Sequence, residues 1–426
     1  SLVVGGLLLG GLLLLLGAPG AAQAAGGTLF VTPGGSGDCS QSHPCDLPTA
    51  LNLAGDGDVV YLAQGTYTGI GAAVITLTKH ITLYGGWDGA PRGAPHRSPA
   101  THPTILDGED ARRGIYVAPG LAPVLDGLVI TRGSAAGLGG FASDGQEYDA
   151  GGGVYVAANA ASRMRECVIS HSTADTGGGL FLQSSNAEVE ECTIEGNTAQ
   201  WGGGVRAVSG APAFRRCRIL ANTAMYGGGM YLMWTLGAVV EDTVFAGNAA
   251  QRGGGAYLSG ASATLQGNFF RGNWANQGGG LGIQSGGSSV VVVRNWILGN
   301  TVGMEGGGVY IAYNEARVDN NVIADNQGSW RGPGVYVKEA SPTLRHNTVA
   351  RNAGGDGAGV HVEDASPTLR NTILVGHAVG ITATAGSTVT MEATLWGSGP
   401  WANAVDRGGD GLFATTADLW GAPGFV

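Results

Sequence analysis

Three sets of residues in this 426-residue chain have the types and spacing to do chemistry. The densest carboxylates lie in the loop Asp144-Gly145-Gln146-Glu147-Tyr148-Asp149. Clustered oxygen ligands can hold calcium, so Asp144, Glu147 and Asp149 are the metal candidate. The same residues equally suit a plain solvated loop. Gly408-Gly409-Asp410-Gly411 has the composition of a calcium-binding repeat, but it occurs once, without the period such sites require. The second set is five cysteines. Cys39 and Cys45 enclose a short polar loop, a spacing that predicts a disulfide in an exported chain. A zinc site using His43 would lack a second ligand pair, and structural zinc takes four ligands. Cys167, Cys192 and Cys217 have no recurring His or Lys beside them to lower a thiol pKa, so buried, unreactive thiols are expected.

The third set is a column of aromatic residues: Tyr155, Phe181, Tyr231, Tyr257, Tyr310 and Tyr336, interrupted by Arg206 and Gly282 and followed by His361. Each follows a glycine cluster and sits between apolar neighbours, which places it on the outer side of a strand. An exposed aromatic row would stack on sugar rings or on a partner protein. The alternative is that the rings stabilise the sheet face by stacking on one another. Trp201, Tyr226, Trp234 and Trp274 lie near this column in sequence.

The elements that position these residues are set by an internal repeat. Triple glycines begin at 151, 177, 202, 227, 253, 278 and 306. Gly332-Pro333-Gly334 and Gly357-Ala358-Gly359 continue the series. After each comes an alternating triplet such as Val154-Tyr155-Val156 or Val335-Tyr336-Val337, the pattern of a short strand with one face buried. Before each lies a second pattern, as in Val189-x-x-Cys192-x-Ile194-x-x-Asn197. That pattern alone would suit a leucine-rich repeat. The helix such a repeat needs cannot form across three glycines, which cost about 1 kcal/mol each in a helix. Rungs of about 25 residues made only of strands and turns predict an all-β parallel β-helix, with coils about 4.8 Å apart.

Stacking turns sequence columns into ladders. One column reads Ser172, Asn197, Asn222, Asn248, Asn273, Asn300, Asn326 and Asn352, with His377 as its last member. Side-chain amides both donate and accept, so stacked asparagines can satisfy one another inside a core. This predicts a structural ladder rather than a polar binding track. A neighbouring column runs Cys167, Cys192, Cys217, Thr243, Asn268, Asn295, Asn321, Asn347. Outside the core, charges alternate in sign along Arg165, Glu190, Arg215, Glu241 and along Glu191, Arg216, Asp242; Lys338 and Glu363 stack in the same way. Such exposed pairs are worth about 0–1 kcal/mol each and would set coil register.

The ends read differently. Leu2 to Leu16 is apolar and Ala22-Gln23-Ala24 suits a signal-peptide cleavage site, so 1–24 is expected to be a signal peptide whose start lies upstream of Ser1. The stretch is short for a membrane span, and no transmembrane span is expected in the mature chain. Residues 25–58 are expected to form an N-terminal cap, with a short helix from Asp46 that closes the open sheet edge. Residues 59–396 would then be the β-helix. Residues 397–426 lose the repeat and are read as a truncated C-terminal segment. The formal net charge is −10, with no polybasic run. That disfavours nucleic acid, which needs basic patches.

With these residues in view, the chain resembles the secreted right-handed, single-stranded parallel β-helix proteins of the pectin-lyase-like superfamily. Within it the likeness is to bacterial surface proteins of the choice-of-anchor Q type and to polymorphic outer-membrane protein repeats. The Cys39–Cys45 loop, the cap helix, Gly65-Thr66-Tyr67, Leu83-Tyr84-Gly85-Gly86, Thr104-Ile105-Leu106-Asp107-Gly108 and the Gly-Gly-Gly/Asn rungs carry it. The resemblance implies a secreted or cell-surface protein. Its function is expected to be non-catalytic: recognition of a polysaccharide or surface partner, or a scaffold. The alternative is a polysaccharide lyase or glycoside hydrolase. The Asn-Thr-Asp, Gly-His-Gly and Arg-Ile-Lys signatures of polygalacturonase-like enzymes are absent. No catalytic residue and no cofactor are expected, calcium at the 144–149 loop excepted.

Overall fold

The computed structural model describes residues 26–285 and 289–424. The expected signal segment 1–24 lies outside the described residues. One coil shows how the repeat folds. Glu188–Glu190, Thr193–Glu195 and Val205–Val208 are successive short strands. Each pairs in parallel with its counterpart one repeat later: Val189 with Phe214, Ile194 with Ile219, and Val205 with Met230. Repetition builds three long parallel sheets in about 14 coils of about 26 residues, with very little helix. The first sheet runs from Thr28–Val31 to Leu412–Thr416, the second from Gly65–Tyr67 to Leu419–Gly421, and the third from Ala73–Leu77 to Val405–Gly408. Inward residues such as Val189, Ile194, Val205 and Ala207 join one continuous core. Phe245 and Phe270 stack within it at 4.6 Å.

Corners are made by single left-handed residues. Between the first and second sheets Glu191 (φ 54°) turns the chain and Cys192 then points inward. Glu166, Arg216, Asp242, Arg294, Asn320 and His346 do the same in other coils. Such backbone costs about 1–3 kcal/mol for a non-glycine residue and persists only where its surroundings impose it. Here the stacked coils impose it.

The second corner carries the asparagine ladder. Asn222 Oδ1 accepts from both the backbone N–H and the Nδ2 of Asn197, each at 3.0 Å. Asn222 Nδ2 donates to Asn248 Oδ1 at 3.0 Å and to the Ile194 carbonyl at 2.9 Å. Every donor and acceptor of the buried amide is thus matched. The glycine triplets serve this ladder. Gly202 takes the left-handed turn (φ 67°). A Cβ on Gly204 would stand 2.8 Å from Asn222 Nδ2, and one on Gly179 2.7 Å from Asn197 Nδ2. The third glycine is therefore where the amide of the next coil sits, which couples the two sequence patterns.

At the N-terminal end the helix Leu47–Leu53 buries Leu47 and Ala50. Asp46 caps it by accepting from the Thr49 N–H at 2.9 Å. Lys79 Nζ closes its other end, donating to the carbonyls of Leu51 (3.2 Å), Asn52 (3.1 Å) and Ala54. Cys39 and Cys45 are bonded, and Cys167, Cys192 and Cys217 are buried free thiols.

Two boundaries differ from those read in the sequence. Thr28–Val31 already pairs with Val59–Ala63, so the first coil starts inside the expected cap of 25–58. Beyond residue 396 the chain stays in the solenoid as far as Gly421. Val405–Gly408, Leu412–Thr416 and Leu419–Gly421 pair with the coil before them. Asn403 continues the ladder, accepting from the His377 N–H at 3.0 Å and donating to the Leu374 carbonyl at 3.0 Å. This coil has no glycine triplet, which hides it from a search keyed to that signal. Among the described residues no helix is long and apolar enough to cross a membrane.

Candidate functional site

The outer side of the third sheet holds the aromatic column. Parallel register sets Tyr155 beside Phe181, Phe181 beside Arg206, Arg206 beside Tyr231, and Tyr231 beside Tyr257. Gly282, Tyr310, Tyr336 and His361 follow in the same row. The row is not exposed, contrary to expectation. Tyr155, Phe181, Tyr231, Tyr257, Tyr310 and Tyr336 are each 6% exposed or less. Their rings pack on one another, at 5.4 Å for Tyr155–Phe181, 5.3 Å for Tyr231–Tyr257 and 5.5 Å for Tyr310–Tyr336. Neighbours on the face cover what the stack leaves: Phe141 packs on Phe181, and Tyr226 on Tyr231 and Tyr257. The hydroxyls are engaged too. Tyr155 Oη donates to Gln183 Oε1 (2.7 Å), Tyr257 Oη to Gln284 Oε1 (2.5 Å) and Tyr336 Oη to Glu363 Oε2 (2.7 Å). Burial pushes the Tyr155 and Tyr257 phenols up to about 12, so both stay neutral. A sugar ring has no open face to stack on here.

The exposed aromatics stand on either side of this floor. Trp274 (43% exposed) opens the strip Trp274–Gln277, and Trp330 (48%) directly precedes Arg331, both between the asparagine corner and the third sheet. Met304, also exposed, lies in Thr301–Glu305, which pairs in parallel with Trp274–Gln277. On the opposite edge Trp234 (52%) follows the strand Met230–Met233 with left-handed backbone. Its ring lies over Gly260, where a Cβ would come within 2.8 Å of the indole. Trp296 and Trp420 are exposed elsewhere on the solenoid. Exposed Trp is unusual, because its large apolar surface normally ends up covered.

The carboxylates of the 144–149 loop do not converge. Gly140–Ser143 and Gln146–Asp149 form an antiparallel hairpin. Asp149 is held inward, accepting from the N–H groups of Gly137 (2.8 Å) and Gly139 (2.7 Å). Asp144 sits at the turn and accepts from Ser143 Oγ at 3.2 Å. Among the described residues no three His, Cys, Asp or Glu side chains are grouped to hold a metal ion. Asp144 lies at the hairpin turn, whereas Glu147 and Asp149 share one side of the strand Gln146–Asp149 and accept from the adjacent N–H groups of Gly140 and Gly139.

Two clusters on the face escaped sequence reasoning. Near the C-terminal end His361 Nδ1 lies 2.5 Å from Asp356 Oδ2, and Asp356 Oδ1 accepts from the Gly332 (3.0 Å) and Ala358 (3.1 Å) N–H groups. His361 Nε2 is buried without a partner. Trp330, Arg331, Asp356 and His361 line a cavity of about 380 Å³. A carboxylate-oriented imidazole can move a proton, but no nucleophile or second acid is hydrogen-bonded to it. Arg331 and Lys338 both pair with Glu363. The second cluster surrounds Arg206 and lies under the hairpin. The only sequence signal for either was a non-aromatic or imidazole member in the aromatic column.

The remaining candidates are structural. Burial pushes the Cys217 thiol up to about 11, and hydrogen bonding to Cys167 together with burial holds Cys192 well above the usual thiol range. Cys217 Sγ donates to the Val189 carbonyl at 3.3 Å. Cys192 and Cys217 are therefore held as protonated thiols.

The family described as right handed beta helix region matches residues 110–297 and 234–395. The chain belongs to the right-handed β-helix family. No curated protein matches it. Among solved structures, this β-helix is similar to the pectate lyase Pel9A, at 16% identity over 75% of this chain and 78% of the other, with a TM-score of 0.44. It is also similar to the tailspike protein 3 of bacteriophage CBA120, at 12% identity over 92% and 57%, with a TM-score of 0.44. A third similar structure is PfbA, a surface adhesin of Streptococcus pneumoniae, at 10% identity over 87% and 86%, with a TM-score of 0.34. At these identities the likenesses carry no information about activity.

Proposed function

We propose that this β-helix is a non-catalytic extracellular or cell-surface recognition protein. Its contacts would be made by tryptophans flanking the third sheet, on a carbohydrate polymer or the surface of a partner. The observation that carries this reading is the exposure of Trp234, Trp274 and Trp330 beside a floor that is itself closed. Successive coils repeat about every 4.8 Å. Contacts on different coils can therefore engage a long ligand together, and several weak contacts then add to useful avidity. Secretion, and surface attachment of the kind the family resemblance implies, belong to the same proposal.

The experiment is affinity electrophoresis of the full chain against neutral and acidic polysaccharides, with product analysis of each. Retention without new reducing or unsaturated ends supports recognition. Absence of retention on every polysaccharide and on host-surface extracts would remove it. A second reading, a lyase or hydrolase, is favoured by one observation, the Asp356–His361 pair at the 380 Å³ cavity. Product release abolished by His361→Ala would establish that reading instead.

A further inference from the structure

Arg206 occupies one place in the aromatic column and is only 4% exposed. A buried guanidinium is normally paired, because an uncompensated charge in a low-dielectric site is costly. Arg113, also buried, donates from Nε to the Ala150 carbonyl (2.8 Å) and from Nη2 to the Gly139 carbonyl (2.5 Å). Arg206 has neither a carboxylate nor a carbonyl. Its Nη1 donates to Thr176 Oγ1 at 2.8 Å. Its Nη2 faces only the Met233 thioether sulfur, at 3.3 Å. Its Nε is buried with no partner.

The rings around it stabilise the charge without using those donors. The guanidinium carbon lies 4.9 Å from the Phe141 ring centroid, 5.3 Å from Tyr231 and 5.4 Å from Trp201. Aromatic faces attract the cation electrostatically. They do not accept the in-plane Nε–H and Nη2–H bonds. That edge is the fork that takes a carboxylate through two parallel hydrogen bonds. Among the described residues two arginines use it so. Arg345 holds Asp319 by Nε (3.0 Å) and Nη2 (2.6 Å), and Arg351 holds Asp325 by Nε (2.8 Å) and Nη2 (2.6 Å). At Arg206 the edge has no such partner, and the residue lines a cavity of about 110 Å³ together with Phe141, Ser143, Asp144 and Tyr148 of the hairpin, Asp144 accepting from Ser143 Oγ and not from Arg206.

We propose that this cavity is a carboxylate-binding site, in which the Nε/Nη2 edge of Arg206 grips the carboxylate of a ligand while Phe141, Trp201 and Tyr231 hold the guanidinium in place. The site is independent of what the flanking tryptophans bind, and it is tested without a polymer. Acetate is titrated into the full chain at constant ionic strength, with chloride as the balancing anion, and tryptophan fluorescence is read. Trp201 lies beside the guanidinium and reports the site. The expected result is a saturable change in the wild type. It should be absent in Trp201→Phe and weakened at least tenfold in Arg206→Lys, which keeps a charge but loses the fork. Retained circular dichroism shows that each variant is folded. An unfolded Arg206→Lys is replaced by Arg206→Gln in the same titration. No saturable change in the wild type, or equal binding by the folded Arg206 variant, would overturn the proposal. Saturation seen only in Asp144→Asn would also overturn it, because the chain's own hairpin carboxylate would then own the edge.

Discussion

The floor and the rim of the third sheet carry the same kind of residue and treat it in opposite ways. On the floor, Tyr336 is fully buried, stacked on Tyr310 at 5.5 Å and on His361 at 5.3 Å, with its hydroxyl on Glu363. On the rim, Trp330 is 48% exposed and only six residues away in the chain. The difference lies in the coil stack. A side chain at a strand centre meets its own column above and below and flanking columns on both sides. A side chain at a turn meets only the coil next to it. Aromatic identity therefore says little about function in this fold. Position around the coil decides whether a ring is structure or surface.

Breaking the floor should have the largest effect. Tyr336→Ala is expected to lower stability by about 3–5 kcal/mol, as for other large buried aromatic truncations. Denaturant midpoints at unchanged slope measure it. A shift no larger than that of a surface substitution would mean that the floor is not a packed stack. The contrast sharpens at the interior ladder, where His377 stands between Asn352 and Asn403. Burial lowers its pKa from the ordinary 6.5 to about 4. Its folded value lies below its unfolded one, so the neutral ring stabilises the fold above pH 6.5. That contribution is lost as pH falls towards 4, by about 3 kcal/mol for this shift. A His377→Asn variant should show a flatter stability profile between those pH values, and an identical profile would contradict the assignment. Within the ladder, Asn273→Leu should cost about 1–3 kcal/mol, because the Asn248 N–H and Nδ2 lose their shared acceptor and Asn300 Oδ1 loses one of its two donors. Thermal midpoints report it.

The fold was largely legible because its determinants are periodic. Glycine triplets, asparagines and alternating triplets recur at one spacing, and the structure shows why. The third glycine of each triplet makes room for the ladder side chain of the next coil, an amide from Gly179 onward. The corners were not legible. Glu191 and Arg216 take left-handed backbone that their types do not favour, because stacking imposes it. The accessibility of the aromatic column was misread for a similar reason. Alternation tells which side of a strand a residue faces, not what lies over that side. The cover comes from other coils and from the 140–149 hairpin, which sit far away in the sequence. Arg206 looked like a gap in an aromatic row, whereas the structure shows a cation caged by rings from three other segments.

The smallest stability effects belong to the rim. Trp234→Ala, Trp274→Ala and Trp330→Ala should each change unfolding free energy by no more than about 0.5 kcal/mol, as expected for exposed positions. The central claim is that these residues recognise the ligand and the floor does not. It is tested most directly by isothermal titration of the triple variant with the polysaccharide or surface extract that retains the wild type. The account predicts an unchanged thermal midpoint and a loss of affinity of at least tenfold. Full affinity in the folded triple variant would contradict it.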